Sequence, residues 1–196
     1  MQVVRLAVSV VVGAAVGGVV LAGCSSGEQA SGTLPSATAV SASPSNSLPP
    51  LGPADFPVPL QSRARTSDGA SSFAAYYIDL TNKLLPSLDS RPLRDLSRDC
   101  SVCNQLADGY DADKLAGYKY IGGEIKIRSA GPPVIVGDMA QIAFILDQAA
   151  VTVVDSGGSS VADRTSDAYS LTGGMSLTWS PENTTWLATS LTAERQ

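Results

Sequence analysis

The sequence has 196 residues, of which 18 are acidic and 13 are basic, and its net charge at pH 7 is −5. This acidic balance argues against a nucleic-acid-binding protein, which would present a basic face. The sequence contains no histidine, which excludes Ser-His-Asp and Cys-His catalysis and removes the usual ligand of zinc and haem. We therefore expect neither a metal nor a cofactor.

The first 23 residues have the pattern of a secretory signal peptide. Arg5 precedes an apolar run at residues 6–20, and small residues follow immediately before Cys24. The run is shorter than the roughly 20 residues that a membrane-spanning helix needs. An uncleaved anchor, or an ordinary secretory signal followed by a chance cysteine, is the alternative interpretation.

Residues 21–24, Leu-Ala-Gly-Cys, resemble the lipobox of bacterial lipoproteins. The resemblance implies cleavage after Gly23, thioether lipidation of Cys24 and acylation of the new amino terminus. Acyl chains bury into a bilayer at roughly 0.8 kcal/mol per methylene, and more than one chain gives stable anchoring. We therefore expect the mature protein to be lipid-anchored on the extracytoplasmic face of the cell membrane.

Residues 24–65 have the composition of a disordered linker that begins at the lipidated cysteine. Serine, alanine and proline dominate, and the prolines forbid regular structure while favouring extended backbone. Too few apolar side chains are present to offset the entropy of ordering the segment. Phe56, Val58 and Leu60 are candidates for docking on a folded domain, but a solvated linker is the preferred interpretation.

The folded domain is predicted to cover residues 66–196 and to begin with three helices. Thr66 caps the first helix, and Pro86 ends it. The second helix follows Pro92, and the third ends at Gly117. The apolar positions of the first helix form one stripe along its surface: Phe73, Tyr76, Tyr77, Leu80 and Leu84.

After Gly117 the apolar residues alternate, which predicts strands. Four strands are expected, at residues 118–128 with a bend at two glycines, 138–154, 169–179 and 186–191. Helices followed by long antiparallel strands predict an α+β fold, in which three helices pack on one face of a curved sheet of about four strands.

This order of elements is similar to the cystatin-like cone of nuclear-transport-factor-2-like domains. In detail, the sequence resembles an actinobacterial lipoprotein family whose function is uncharacterised. The resemblance is carried by residues 69–77, the pair Pro92-Leu93, and Cys100-x-x-Cys103 before a helix ending at Gly117. The resemblance covers residues 66–196 and the general layout before them. It implies a cone that often encloses an apolar cavity, and it supplies no catalytic residues.

Cys100 and Cys103 are the two cysteines that remain once Cys24 carries lipid. An even remainder in an exported protein predicts a disulfide, and cysteines three residues apart in a helical turn are close enough to form one. The same spacing occurs in thioredoxin-like redox pairs, but those follow a strand in a βαβ unit. A structural disulfide is therefore preferred over redox catalysis or metal binding.

Asp108, Asp111 and Asp113 form an acidic cluster on the predicted third helix. Calcium loops need acidic oxygens at alternating positions with a glycine after the third, and this order does not match. The cluster is therefore interpreted as a solvated helix face.

Six side chains are candidates for the wall of an apolar ligand cavity: Tyr76, Tyr77, Tyr118, Tyr120, Met175 and Trp179. Such a cavity is the default ligand site of a fold of this kind. The alternative is that these side chains fill the core, because the sequence is only 6% aromatic. Met175, Leu177 and Trp179 alternate along one strand face and should all meet the helices, with Trp179 as a large core residue.

These observations predict a non-enzymatic binding or interaction module, tethered to the membrane through Cys24. Its partner would be another envelope protein or a small apolar ligand, and not a nucleic acid. The alternative is an isomerase-, cyclase- or dehydratase-like enzyme of the same cone fold, with Asp79 or Asp147 as its base. A buried aspartate beside a second polar group would favour the enzyme, whereas an exposed apolar patch would favour a protein partner.

Overall fold

The computed structural model describes residues 48–196. The predicted signal peptide, Cys24 and the rest of the predicted linker up to residue 47 lie outside the described residues. Within residues 48–196, no helix is long and apolar enough to cross a membrane. The predicted α+β class is confirmed, because three helices pack on an antiparallel sheet.

The helices are α1 (Ser67–Leu84), α2 (Arg91–Asp95) and α3 (Ser101–Leu115). The Thr66 hydroxyl accepts a hydrogen bond from the Gly69 amide at 3.0 Å and so caps α1 as predicted. The predicted apolar stripe of α1 is buried along its whole length: Phe73, Tyr76, Tyr77, Leu80 and Leu84. The core therefore begins on this helix.

Seven strands follow in residues 48–196: β1 (Lys119–Gly122), β2 (Ile125–Ala130), β3 (Val134–Val136), β4 (Met139–Gln148), β5 (Val151–Val154), β6 (Tyr169–Ser180) and β7 (Thr185–Arg195). The main sheet has the order β2-β4-β6-β7, and the short β3 pairs with the start of β4 beside β2. Strands β1 and β5 form a separate two-stranded sheet.

Two of the four expected strands are therefore each divided between the two sheets. The strand expected at 118–128 breaks at Gly122 and Gly123, whose φ angles of 74° and 88° are favourable only for glycine. A Cβ atom at Gly122 would lie 2.3 Å from the carbonyl oxygen of Ala150. The two backbone segments are therefore too close here for any residue with a side chain. The strand expected at 138–154 breaks opposite, between β4 and β5. The two breaks together turn β1 and β5 away from the main sheet.

The main sheet has one face toward the helices and one toward solvent. On β4, Ala140, Ile142, Phe144 and Leu146 are buried against the helices, while the residues between them are exposed or half-buried. The Asn82 side chain fastens α1 to β2, because its Nδ2 donates to the Ile125 carbonyl at 2.7 Å and its Oδ1 accepts from the Ile125 amide at 2.8 Å. This pair of bonds fixes the distance between α1 and the sheet.

The end of the predicted linker, residues 49–60, is packed on the domain, and we call it the docked segment. The Phe56 ring stacks on the Tyr76 ring with centroids 5.1 Å apart, and the Tyr76 hydroxyl donates to the Phe56 carbonyl at 2.9 Å. Val58 is buried, whereas Leu60 is exposed. The expectation of a solvated linker up to residue 65 is therefore wrong for this segment, because proline-rich chain is already restricted and loses little entropy on docking.

Arg63 holds the docked segment against the far end of the sheet. Its guanidinium donates to the carbonyl oxygens of Pro49 at 2.5 Å, Asn183 at 2.7 Å and Thr184 at 3.3 Å. The side chain lies in the short helical turn Leu60–Arg63 and is itself buried. One arginine thus joins the entry of the domain to the β6–β7 hairpin.

Trp186 on β7 is the largest fully buried side chain of the described residues. Its indole Nε1 donates to the Ala64 carbonyl at 3.0 Å, which supplies the partner that a buried indole requires. Trp179 lies opposite it on β6 and meets it edge to face, with ring centroids 5.5 Å apart. Met175 and Leu177 are buried as predicted, but Trp179 is only half-buried, so the large core tryptophan is Trp186.

Candidate functional site

A cavity of about 210 Å³ lies between the helices and the concave side of the sheets, and we call it the cone cavity. Helices α1 and α3 form one wall, and strands of both sheets form the other. Its lining is mainly aliphatic, with Ile78, Leu85, Leu106, Leu146, Leu171 and Leu191 as the main contributors. Several of these side chains are only half-buried, so the cavity opens toward solvent at one end.

The polar side chains of the cavity wall are engaged within the protein. The Tyr110 hydroxyl donates to the Thr81 carbonyl at 3.1 Å, and Asn82 holds Ile125 as described above. The Gln148 Oε1 accepts from the Tyr169 hydroxyl at 2.8 Å. A guest in the cavity therefore meets a predominantly apolar surface.

A buried carboxylate lies behind this wall. Asp113 on α3 is only 2% exposed, and its oxygens accept from the Arg164 guanidinium at 2.7 and 2.8 Å. The Tyr120 hydroxyl donates a further hydrogen bond to Asp113, and Tyr120 lines the cavity. The interpretation of the acidic cluster as a solvated face is therefore wrong for Asp113, although Asp108 and Asp111 are exposed and pair with Arg94.

This arrangement suits a structural role for Tyr120. Burial, with the hydrogen bond to Asp113 and the charge of that carboxylate, raises the pKa of Tyr120 to about 12. Its hydroxyl proton is committed to Asp113 at neutral pH, and both Asp113 oxygens face donors. Burial likewise raises the pKa of the Tyr110 hydroxyl above its ordinary value. Neither tyrosine has the near-neutral pKa that a general base needs.

The two aspartates considered as catalytic bases do not reach the cavity. Asp79 is exposed on the outer side of α1, where partial burial raises the pKa of its carboxyl. Asp147 lies on the solvent side of β4 and accepts from Arg128 Nε at 2.8 Å; the hydrogen bonds from Arg128 lower its pKa. The structure therefore does not bring either proposed base to the apolar site.

Of the six residues predicted to line an apolar ligand cavity, Tyr120 is the one that lines the cone cavity. Tyr76 meets the docked segment, and the buried Tyr77 hydroxyl donates to the Leu93 carbonyl at 3.1 Å. Met175 is core, while Tyr118 is half-buried just before β1. Trp179 lies against Trp186. The actual wall was missed because it is assembled from single residues of many elements, and no local pattern marks them as neighbours.

Cys100 and Cys103 are joined by a disulfide in the structure, with their Cα atoms 5.2 Å apart. Both residues are buried, and the Cys100 Sγ accepts from the Cys103 amide at 3.2 Å as the cap of α3. The pair lies at the start of α3 and does not line the cone cavity. Its position suits a covalent cap that fixes the first turn of α3.

We expect the exported protein to contain this disulfide, so that its intact mass increases by two hydrogens on reduction. Replacing both cysteines with serine should lower the free energy of unfolding by about 1–3 kcal/mol, because the closed loop is small. Urea denaturation of the two proteins measures the difference. Two free thiols in wild-type protein isolated under acid quench would contradict the prediction.

The structure also has an apolar patch on the solvent side of the sheet. It consists of Val134, Val136 and Met139, which are 63%, 72% and 51% exposed at the β3–β4 hairpin. The patch and the cone cavity lie on opposite sides of the sheet. An exposed apolar patch is the surface feature expected of a protein-binding site. This patch shares no residue with the cone cavity.

No protein-family model matches the sequence, and no curated protein matches it. Among solved structures, the chain is similar to the intermembrane-space region of the chloroplast protein ARC6, with a TM-score of 0.50 and 13% identity over 68% of this chain and 99% of that one. It also matches a nuclear transport factor 2 (NTF2-like) superfamily protein from Salmonella enterica serovar Typhimurium, with a TM-score of 0.44 and 14% identity over 66% and 93% of the two chains. Similarity at such identity concerns the fold alone.

Proposed function

We propose that this protein is a membrane-anchored extracytoplasmic lipoprotein whose α+β domain binds a small apolar molecule in the cone cavity. The observation that carries the proposal is a cavity of about 210 Å³ with a mainly aliphatic wall, in which Tyr110 and Asn82 are hydrogen-bonded within the protein. A preformed cavity with a mainly apolar lining and a few polar groups is the usual kind of site for a small apolar guest.

The contacts around the cavity support a rigid, preformed site. Asn82 fixes α1 to β2 through two hydrogen bonds, and Asp113 fixes α3 to Tyr120 on β1 and to Arg164. These bonds hold the walls on opposite sides of the space. Because the protein does not have to order itself on binding, the guest loses little affinity to reorganisation.

The anchoring half of the proposal rests on the sequence. The Leu-Ala-Gly-Cys motif at residues 21–24 follows a short apolar run and resembles a lipobox. Lipid on Cys24 would place the domain at the outer face of the cell membrane. A binding domain held there is positioned for apolar molecules that enter or leave the envelope.

Binding explains the site better than acid–base catalysis. The buried aspartate that would favour an enzyme is Asp113, but Arg164 and Tyr120 occupy its oxygens and Tyr120 separates it from the cavity. In the described residues, the cavity wall presents no carboxylate or amine of its own. The groups that are present orient the walls and exclude water.

The cavity can be blocked without touching the core. Ala193 lines the cavity at an exposed position on β7 and pairs with Gly173, which leaves room for a ring. We expect Ala193→Phe to weaken binding of the neutral apolar probe N-phenyl-1-naphthylamine at least about tenfold, the effect of losing roughly 1.4 kcal/mol of contact. Fluorescence titration measures this.

Ala143→Phe is the matched control, because Ala143 is exposed on the solvent side of β4. This variant should bind the probe as the wild type does. Equal affinity of both variants and the wild type would place the probe elsewhere and contradict the proposal. Mass spectrometry of small molecules extracted from native wild-type protein then identifies the natural guest.

A further inference from the structure

An exposed arginine lies beside the residues that line the cone cavity. Arg195 on β7 lies opposite Leu171 on β6, and Leu171 lines the cavity. Tyr169, two residues earlier on β6, belongs to the same face of the strand. The Arg195 guanidinium lies over the Tyr169 ring, 3.8 Å from its centroid. The cation is therefore held at the mouth of the cavity by a stacking contact.

The contact with the Tyr169 ring leaves the positive charge of Arg195 available for an anionic ligand. Among residues 48–196, the carboxylates pair with Arg65, Lys83, Arg91, Arg94, Arg128 and Arg164, and none pairs with Arg195. Glu194 points to the other face of β7, as its register opposite Thr172 requires. A guanidinium that lies over an aromatic ring keeps the N–H groups of its edge for a carboxylate or a phosphate.

A second donor lies beside it. Gln148 lines the cavity and pairs with Tyr169 in the β4–β6 register. Its Oε1 accepts a hydrogen bond from the Tyr169 hydroxyl at 2.8 Å, and this bond orients the amide. The NH₂ group of Gln148 has no acceptor among the described residues. Tyr169 thus positions two donor groups, the Arg195 edge and the Gln148 amide, at the end of an aliphatic cavity.

We propose that the guest of the cone cavity is a single-chain anionic amphiphile, with its apolar chain in the cavity and its carboxylate or phosphate head on Arg195 and Gln148. This inference rests on the proposed function and adds the chemical class of the ligand. The volume of about 210 Å³ suits one chain. A charged head at the mouth stays partly solvated, so the desolvation that opposes buried ion pairs is small.

The test compares ten-carbon ligands that differ only in their heads. Decanoate, decyl phosphate and decanol are titrated as competitors of N-phenyl-1-naphthylamine on the full domain. We expect at least one of the two anions to compete about tenfold more strongly than decanol on wild-type protein. Whichever anion competes better assigns the head as carboxylate or phosphate.

Arg195→Gln should remove this preference and leave competition by decanol unchanged. Arg128→Gln is the matched control, because Arg128 lies on the solvent side of the sheet and pairs with Asp147 there; it should keep the preference. Thermal melting confirms that both variants are folded. The inference is overturned if all three ligands compete equally on wild-type protein, or if Arg195→Gln keeps the preference for an anion. The Ala193→Phe variant tests the cavity itself independently of these results. If Ala193→Phe leaves probe binding unchanged, the proposed function itself fails.

Discussion

Replacing Trp186 with alanine is expected to lower the free energy of unfolding by about 3–5 kcal/mol, as for other large-to-small changes of buried aromatic side chains. Trp186 is fully buried, and its indole satisfies the Ala64 carbonyl at 3.0 Å. The substitution removes the packing of β7 against the core and leaves that carbonyl without its partner. Urea denaturation monitored by far-ultraviolet circular dichroism measures the loss.

Trp179→Ala is the matched control for this prediction. Trp179 faces Trp186 across the β6–β7 pair at 5.5 Å between ring centroids, but it is only half-buried and its ring closes one side of the core. Its replacement should cost clearly less stability than that of Trp186. Equal losses for the two variants would show that the tryptophan pair, and not Trp186 alone, forms the core of this region.

Replacing Cys24 with alanine is expected to abolish lipid attachment and to leave precursor or mislocalised protein. The sulfur of Cys24 is the atom to which the lipobox pattern assigns the lipid, and the remaining sequence supplies no second apolar run long enough to span a bilayer. Wild-type protein should enter the detergent phase of a Triton X-114 partition, and the variant should appear in the aqueous phase or as precursor.

Ser26→Ala, two residues further on, is the control for this experiment and should partition as the wild type does. Mass spectrometry of the amino-terminal peptide identifies the acyl groups. A Cys24→Ala protein that has lost its signal peptide and still enters the detergent phase would contradict the assignment of the anchor to Cys24.

The helices could be predicted from sequence because their signals are local. Thr66 caps α1 through a residue three positions away, and the stripe from Phe73 to Leu84 is a property of one helix. The class of the fold followed from the order of these helices and the alternating segments after them. None of these inferences needed a contact between distant residues.

The strand breaks and the cavity depend on distant contacts and were not predictable in the same way. Gly122 marks a bend in the sequence, but only its 2.3 Å approach to the Ala150 carbonyl shows that two sheets separate there. Asp113 reads as one more exposed aspartate on a helix, and its burial depends on Arg164, 51 residues further along the chain. The alternation of apolar residues along the strands also does not show that Trp179 lies nearer the edge of the core than Trp186.

If Cys24 carries lipid as proposed, the docked segment limits how far the domain can stand from the membrane. A fully extended chain spans at most ~3.5 Å per residue, so a tether of residues 25–65 would reach ~145 Å from a lipidated Cys24. Because Arg63 and Tyr76 hold residues 49–60 on the domain, residues 25–48 alone give a ceiling of ~85 Å. The layer above the lipid surface that the tethered domain can reach would thus be ~60 Å thinner. The effective local concentration of the cavity near membrane-borne guests would be correspondingly higher.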